Sequence, residues 1–289
     1  MRLPFRPIAV LAVLTIAAAS QAWNAIGHMV IAAIAYKNLT PNVKAECDRL
    51  LKVNPDERAT DFVSTGPWAD DVRNQRRETG PWHYIDFHFR ADGKSAAGKP
   101  DAENVVWAIN KFSAILKDQS KPDADRAEAL RFLIHFVGDI HQPLHATARE
   151  TDEHPTGDKG GNDFHIEAPD SFGNQNRGPR NLHSLWDSGA GLLTADARRP
   201  LTADGTAKVE TLASEIASKQ PEKSFKAAHD LNPEHWAQES FGFDKSFVYS
   251  LPENSKPTDE YIKKAEDIAS QRVALAGYRL ANLLNDLLK

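Results

Sequence analysis

The stretch FLIHFVGDIHQPLH, residues 132–145, restricts this chain more than any other. His135 and Asp139 stand four residues apart, so on a helix they share one face, about 40° apart in rotation. Pro143 ends that helix, and His145 follows where the chain is free to turn back. His141 is six residues from His135 and points elsewhere, as a bystander or as support for the others. A second pair of the same spacing, His183 and Asp187, lies in NLHSLWD. One such pair means little, because exposed helices often carry one. Two pairs, a third histidine and a chain with 11 histidines but one cysteine point to metal. Neutral imidazole with carboxylate suits zinc.

The rest of the chain fits a helical scaffold around such a site. Apolar residues recur at helical spacing in 27–37, 102–117, 126–141, 205–218 and 258–288. Alternation is rare, and WHYIDFHF (82–89) is the best strand candidate. Residues 150–180, rich in Gly, Asp, Asn and Pro, read as a long loop. No repeat or linker divides the chain. The expectation is a mainly α, single-domain helical fold with a minor β-hairpin, and a region after 190 that adds only helical packing.

Residues 1–22 read as a secretory signal: Arg2 and Arg6, an apolar run from Ile8 to Ala19, then Ser20-Gln21-Ala22. The remaining domain, 23–289, begins at Trp23 and is expected outside the cell or in the periplasm. Cys47 stands alone, so no internal disulfide forms, and stability must come from the core or from metals. The net charge of −5 makes the chain a poor general binder of nucleic acid, so a polyanionic substrate needs a local positive centre. No later stretch is long and apolar enough for a membrane span.

Three further segments join the set: WADDVR (68–73) with Asp70 and Arg73, HYIDF (83–87) with His83 and Asp86, and WNAIGH (23–28). If cleavage frees Trp23, its α-amino group and carbonyl oxygen can chelate a metal, with His28 as a third ligand.

In order, W-x4-H, WAD-x2-R, HYID, H-x3-GD-x-HQPLH, GGN and NLH-x2-WD resemble the zinc-dependent single-strand nucleases of the S-one/P-one and mung bean nuclease type. The resemblance runs from Trp23 to Asp187. It implies the helical fold shared with zinc-dependent phospholipase C, a cleft with three zinc ions, and hydrolysis of single-stranded DNA, RNA and 3′-nucleotides to 5′-phosphorylated products. By matching positions it implies that Asp70, His83 and His135 bind one zinc. Trp23 and His28 bind a second, Asp139 bridges these two, and His145, His183 and Asp187 bind a third. Arg73 and Asp139 are then catalytic. Tyr84 stacks on a base, Asp86 accepts from its edge, and Asn162 contacts substrate. Three divalent ions against three aspartates supply the positive centre. The chain departs in Asn24, where the family usually has glycine, and in lacking the disulfides of fungal and plant members, which suggests a bacterial-type member. A monomer without stable membrane association is expected. The rival is a zinc phospholipase C. Those relatives space the first histidine farther from the terminal Trp and use Glu as the last ligand, where this chain has Asp187.

Overall fold

The computed structural model describes residues 23–173 and 178–289. The signal-peptide reading at 1–22 lies outside the described residues, as does a short part of the expected loop. Among the described residues no helix is long and apolar enough to cross a membrane.

Helix α1 (Ala25–Asn38) starts at Asn24, whose side chain accepts from the Gly27 N–H at 3.0 Å. This caps one of the donors a helix start leaves unpaired. Ile26 to Ala32, Ile34 and Ala35 are all buried, so α1 is wrapped on nearly every side. It packs against α5 (Asp123–Asp139), α7 (Ala203–Lys219) and the 29-residue α9 (Asp259–Leu287). The α1–α9 crossing is close because Gly277 has no side chain; a Cβ there would stand 2.6 Å from Ile34 Cγ2. Helix α4 (Val105–Lys117) covers α5 from another side, with Phe112 stacked on Phe132 at 4.5 Å between centroids. Four short or peripheral helices complete the set among the described residues: α2 (Pro41–Leu51), α3 (Trp68–Arg73), α6 (Leu182–Asp187) and α8 (Pro233–Ser246). The predicted helical segments thus form, and the chain is mainly α.

The small sheet differs from expectation. Strands β1 (Phe87–Phe89) and β2 (Thr147–Arg149) pair in parallel, Phe87 with Thr147 and Phe89 with Arg149. No hairpin forms, because α4 and α5 lie between the two strands, and a parallel pair requires a crossover of that kind. The expected strand over 82–89 is also shorter. Residues Arg77–His83 form a 3-10 helix containing Pro81, so Trp82 and His83 are both buried rather than alternating. Trp82 packs on Trp107, Phe112 and Phe132, while His83 faces Asp139.

The region after 190 does more than extend the core. The last carbonyls of a helix have no partner within it. At the end of α5, Ser240 Oγ on α8 donates to Ile140 O at 2.6 Å, and Arg272 Nε on α9 donates to His141 O at 3.2 Å. Arg279 Nη1 donates to His141 Nε2 at 3.0 Å, and Glu239 accepts from both arginines. The carbonyls of Ile140 and His141 and the His141 ring are therefore where α8 and α9 clamp the end of α5. His141 Nδ1 donates to Val137 O at 2.7 Å, and burial holds its pKa well below the usual range.

Candidate metal centre

Five side chains converge at the end of α5. His28 comes from α1, Asp70 from α3, His83 from the 3-10 turn, and His135 and Asp139 from one face of α5. Two oxygens of one carboxylate look in different directions. Asp139 Oδ1 lies 3.3 Å from His28 Nε2, while Oδ2 lies 2.9 Å from His83 Nδ1 and 3.2 Å from His135 Nε2. Asp70 Oδ1 is 3.7 Å from His135 Nε2 and 3.8 Å from His83 Nδ1. Ligand atoms of His28, Asp70 and His135, and those of His83, His135 and Asp139, fall within 4.8 Å of one another. A separate group of His145, His183 and Asp187 meets the same limit. There His145 Nε2 is 3.3 Å from His183 Nε2, which is 3.3 Å from Asp187 Oδ1.

Backbone carbonyls set the orientation of three of the rings. His135 Nδ1 donates to Gly66 O at 2.7 Å, His145 Nδ1 to His83 O at 2.7 Å and His183 Nδ1 to Gly160 O at 2.6 Å. A carbonyl only accepts, so in each ring the proton sits on Nδ1 and Nε2 points into its group. Two glycines make this approach feasible. A Cβ on Gly138 would lie 2.9 Å from His28 Nδ1, and Gly160, at φ +61°, would drive one to 2.3 Å from Leu144 O.

The chemistry of the site fits a cation. Buried polar atoms almost always find a partner. Here both ring nitrogens of His28, His83 Nε2, Asp70 Oδ1 and Asp139 Oδ1 are buried without a hydrogen bond. Burial holds the His28 imidazole well below its usual range and brings His83 and His145 down to about 4. These rings are neutral at neutral pH, the form that binds metal. Burial works against the charge of Asp139, but His135 and His83 hold its carboxyl ionised well below the usual range. Burial lifts Asp70 to about 6 and Asp187 well above its ordinary value. His135, despite burial, is held up to about 9 by Asp139 and Asp70.

The other predicted residues border this centre. Trp23 is fully buried; its indole Nε1 donates to Gly138 O at 3.1 Å, one residue before Asp139. Asn24, the departure from the family pattern, caps α1 and binds Leu193 O, and its N–H donates to Asp187 O at 2.8 Å. Arg73 sits three residues after Asp70 on α3 and donates to Gly80 O at 3.4 Å. Tyr84 and Asp86, both half-buried, follow His83. Asn162 lies in the loop whose Gly160 carbonyl holds His183, and its amide donates to Lys159 O at 2.8 Å. Sequence reasoning assigned no role to Gln142, whose Nε2 donates to Asp187 Oδ1 at 2.8 Å. Its place inside HQPLH was the available signal. Gly66 and Gly160 were also missed, because a carbonyl has no signature in sequence.

Chelation should destabilise the fold as well as inactivate it. A site filled at 1,000 times its Kd contributes about 4 kcal/mol. For a domain of this size that corresponds to roughly 10 °C of Tm per site. Scanning calorimetry with and without chelator checks this; an unchanged Tm would mean the groups hold no structural metal.

Comparisons with known proteins agree with the geometry. The chain is 28% identical to Endonuclease 2 of Arabidopsis thaliana over 278 residues, covering 91% of this chain and 89% of that protein. It is 25% identical to Nuclease P1 of Penicillium citrinum over 285 residues (92% and 97%), and 25% identical to Nuclease S1 of Aspergillus oryzae over 298 residues (95% and 94%). Residues 23–289 match the S1/P1 Nuclease family, and with buried His/Asp groups able to hold metal ions at its centre, this chain belongs to that family of hydrolases.

Proposed function

We propose that this protein hydrolyses single-stranded DNA and RNA, and 3′-nucleotides, to 5′-phosphorylated products, using three zinc ions. The observation that carries the reading is the buried His/Asp cluster, with unpartnered nitrogens and oxygens, inside a chain of the S1/P1 nuclease family. Asp70, His83 and His135 hold one ion. The Trp23 amino and carbonyl groups with His28 hold the second. His145, His183 and Asp187 hold the third. Asp139 spans the first two, a role supported by its two oxygens facing different partners. Zinc, when bound, supplies Lewis acidity toward phosphoryl oxygens and generates a nucleophile from water near neutral pH.

The chain's own residues do the rest. Asp139 keeps its negative charge between the imidazoles and holds the first two sites together. Arg73 places a positive charge beside Asp70 and His83, where charge develops on the phosphoryl group. Tyr84 offers an aromatic face, and Asp86 accepts from the edge of the same base. Only an unstacked base reaches both, which selects single strands. Asn162 contacts substrate beside the third group. The protein is exported through the signal at 1–22, acts as a monomer, and represents the disulfide-free, bacterial-type branch, a reading supported by the lone, buried Cys47.

Zinc-loaded protein assayed on single-stranded DNA, RNA, duplex DNA and phosphatidylcholine tests the reading. Cleavage of single strands with 5′-phosphate ends is expected. Hydrolysis of phosphatidylcholine without nuclease activity would replace it with the phospholipase.

Asp86 adds a pH dependence. Burial pushes its carboxyl up to about 6, with Asp101 and Asp158 reinforcing and His88 opposing. The carboxylate accepts hydrogen bonds and the acid form accepts fewer, so KM for oligonucleotides should rise as pH falls through 6. Asp86→Asn should remove that limb and raise KM at pH 7 by about 10–100-fold, the worth of hydrogen bonds to a charged group. Tyr84→Ala should cost a similar factor through lost stacking. Zinc content should stay constant in both. Normal KM values in both variants would place the base elsewhere.

A further inference from the structure

We propose that Gln142 is the positioning residue of the third metal group, setting the carboxylate of Asp187 and the turn that carries His145 with one buried amide. The proposal rests on the three-zinc reading above. Gln142 is fully buried. Its Oε1 accepts from the Leu144 N–H at 2.7 Å and caps the 3-10 turn Pro143–Ala146, which contains His145. Its main-chain carbonyl accepts from the His145 N–H at 3.0 Å. With the oxygen committed to an N–H, the amide nitrogen must face the other way, and there it donates to Asp187 Oδ1 at 2.8 Å. The amide cannot flip without setting donor against donor at one end and acceptor against acceptor at the other.

Each of the three ligands thus has its own outer partner. His145 donates to His83 O, His183 donates to Gly160 O, and Asp187 accepts from Gln142. Two of these partners are backbone carbonyls, beyond the reach of substitution. The third is a side chain. Asp187 is also the ligand that most needs one. It ends the six-residue α6, and 15% of its side chain reaches solvent, against 5% for His183. Without Gln142 its carboxylate has other rotamers open to it. Outer partners of ligands typically contribute 10–100-fold in metal affinity.

The test is zinc affinity, measured by chelator competition and by counting retained metal, in Gln142→Met and Gln142→Glu. Methionine keeps the volume and loses both hydrogen bonds. Glutamate keeps an acceptor for the Leu144 N–H, so the turn is retained, but sets a carboxylate oxygen against Asp187 where the amide had donated. The expected result is one zinc weakened about 10–100-fold in each variant and the others held as in wild type. Should Gln142→Met fail to fold, Gln142→Glu decides alone. Unchanged or tighter binding of all zinc in a folded variant would overturn the proposal, as would equal weakening of every zinc with a fall in metal-free Tm. Wild-type protein that never takes up a third zinc would overturn the three-zinc reading itself, and this proposal with it.

Discussion

Asp139→Asn is expected to abolish turnover and to release metal. Asp139 is fully buried, and its two oxygens face His28 on one side and His83 with His135 on the other. Asparagine has nearly the same shape but no charge, and it turns an NH2 toward one of the two sets. Removing one partner from a buried charged cluster costs about 3–5 kcal/mol, equivalent to about 10²–10⁴-fold in affinity. His141→Asn is the control from the same turn. His141 makes two structural hydrogen bonds, to Val137 O and from Arg279, and none to the cluster. Its loss should lower stability by about 1–3 kcal/mol through stranded polar groups, while zinc content stays at the wild-type value. Metal analysis, a nuclease assay and a thermal melt on both variants decide the matter. Equal metal loss from both would remove Asp139 from its bridging role.

A form of the protein that retains a residue before Trp23 should fold, bind about two zinc ions and be nearly inactive. The α-amino group would then be an amide, whose nitrogen has no free lone pair and stays protonated at neutral pH. His28 and Asp139 alone would hold that zinc weakly. The remainder of the site should survive, because position 23 is fixed by other means. The Trp23 indole donates to Gly138 O, the Asn24 N–H donates to Asp187 O, and Gly27 leaves the space that the Trp23 side chain fills. Protein exported and cut between Ala22 and Trp23 should bind three zinc ions and cleave. Intact mass, metal count and one nuclease assay compare the forms. Full activity with the extra residue still attached would make Trp23 a core residue only.

Much of this site was readable because its chemistry is local in sequence. His135 and Asp139 share a helical face by spacing alone, as do His183 and Asp187, and Pro143 marks where the chain turns to deliver His145. The helices α1, α4, α5, α7 and α9 were legible for the same reason, since burial of an apolar stripe repeats every three to four residues. The sheet was not. Its strands are three residues each, and their parallel pairing depends on two helices crossing between them, which no local pattern records.

The sequence by itself determined which side chains are available for metal and which of them share a face. Those facts follow from residue type and helical geometry. Tertiary structure alone decided which sets converge. It stacked His28 on His135 at 3.9 Å across a gap of 107 positions and turned the two oxygens of Asp139 toward different partners. It also decided what surrounds the candidate metal-binding side chains: the carbonyls of Gly66, His83 and Gly160, the amide of Gln142, and the Arg272–Glu239–Arg279 cluster behind His141. Every residue carries a carbonyl, so no motif marks the few that matter. Only the folded chain, by bringing distant backbone within hydrogen-bonding distance of a ring, makes them supports for those side chains.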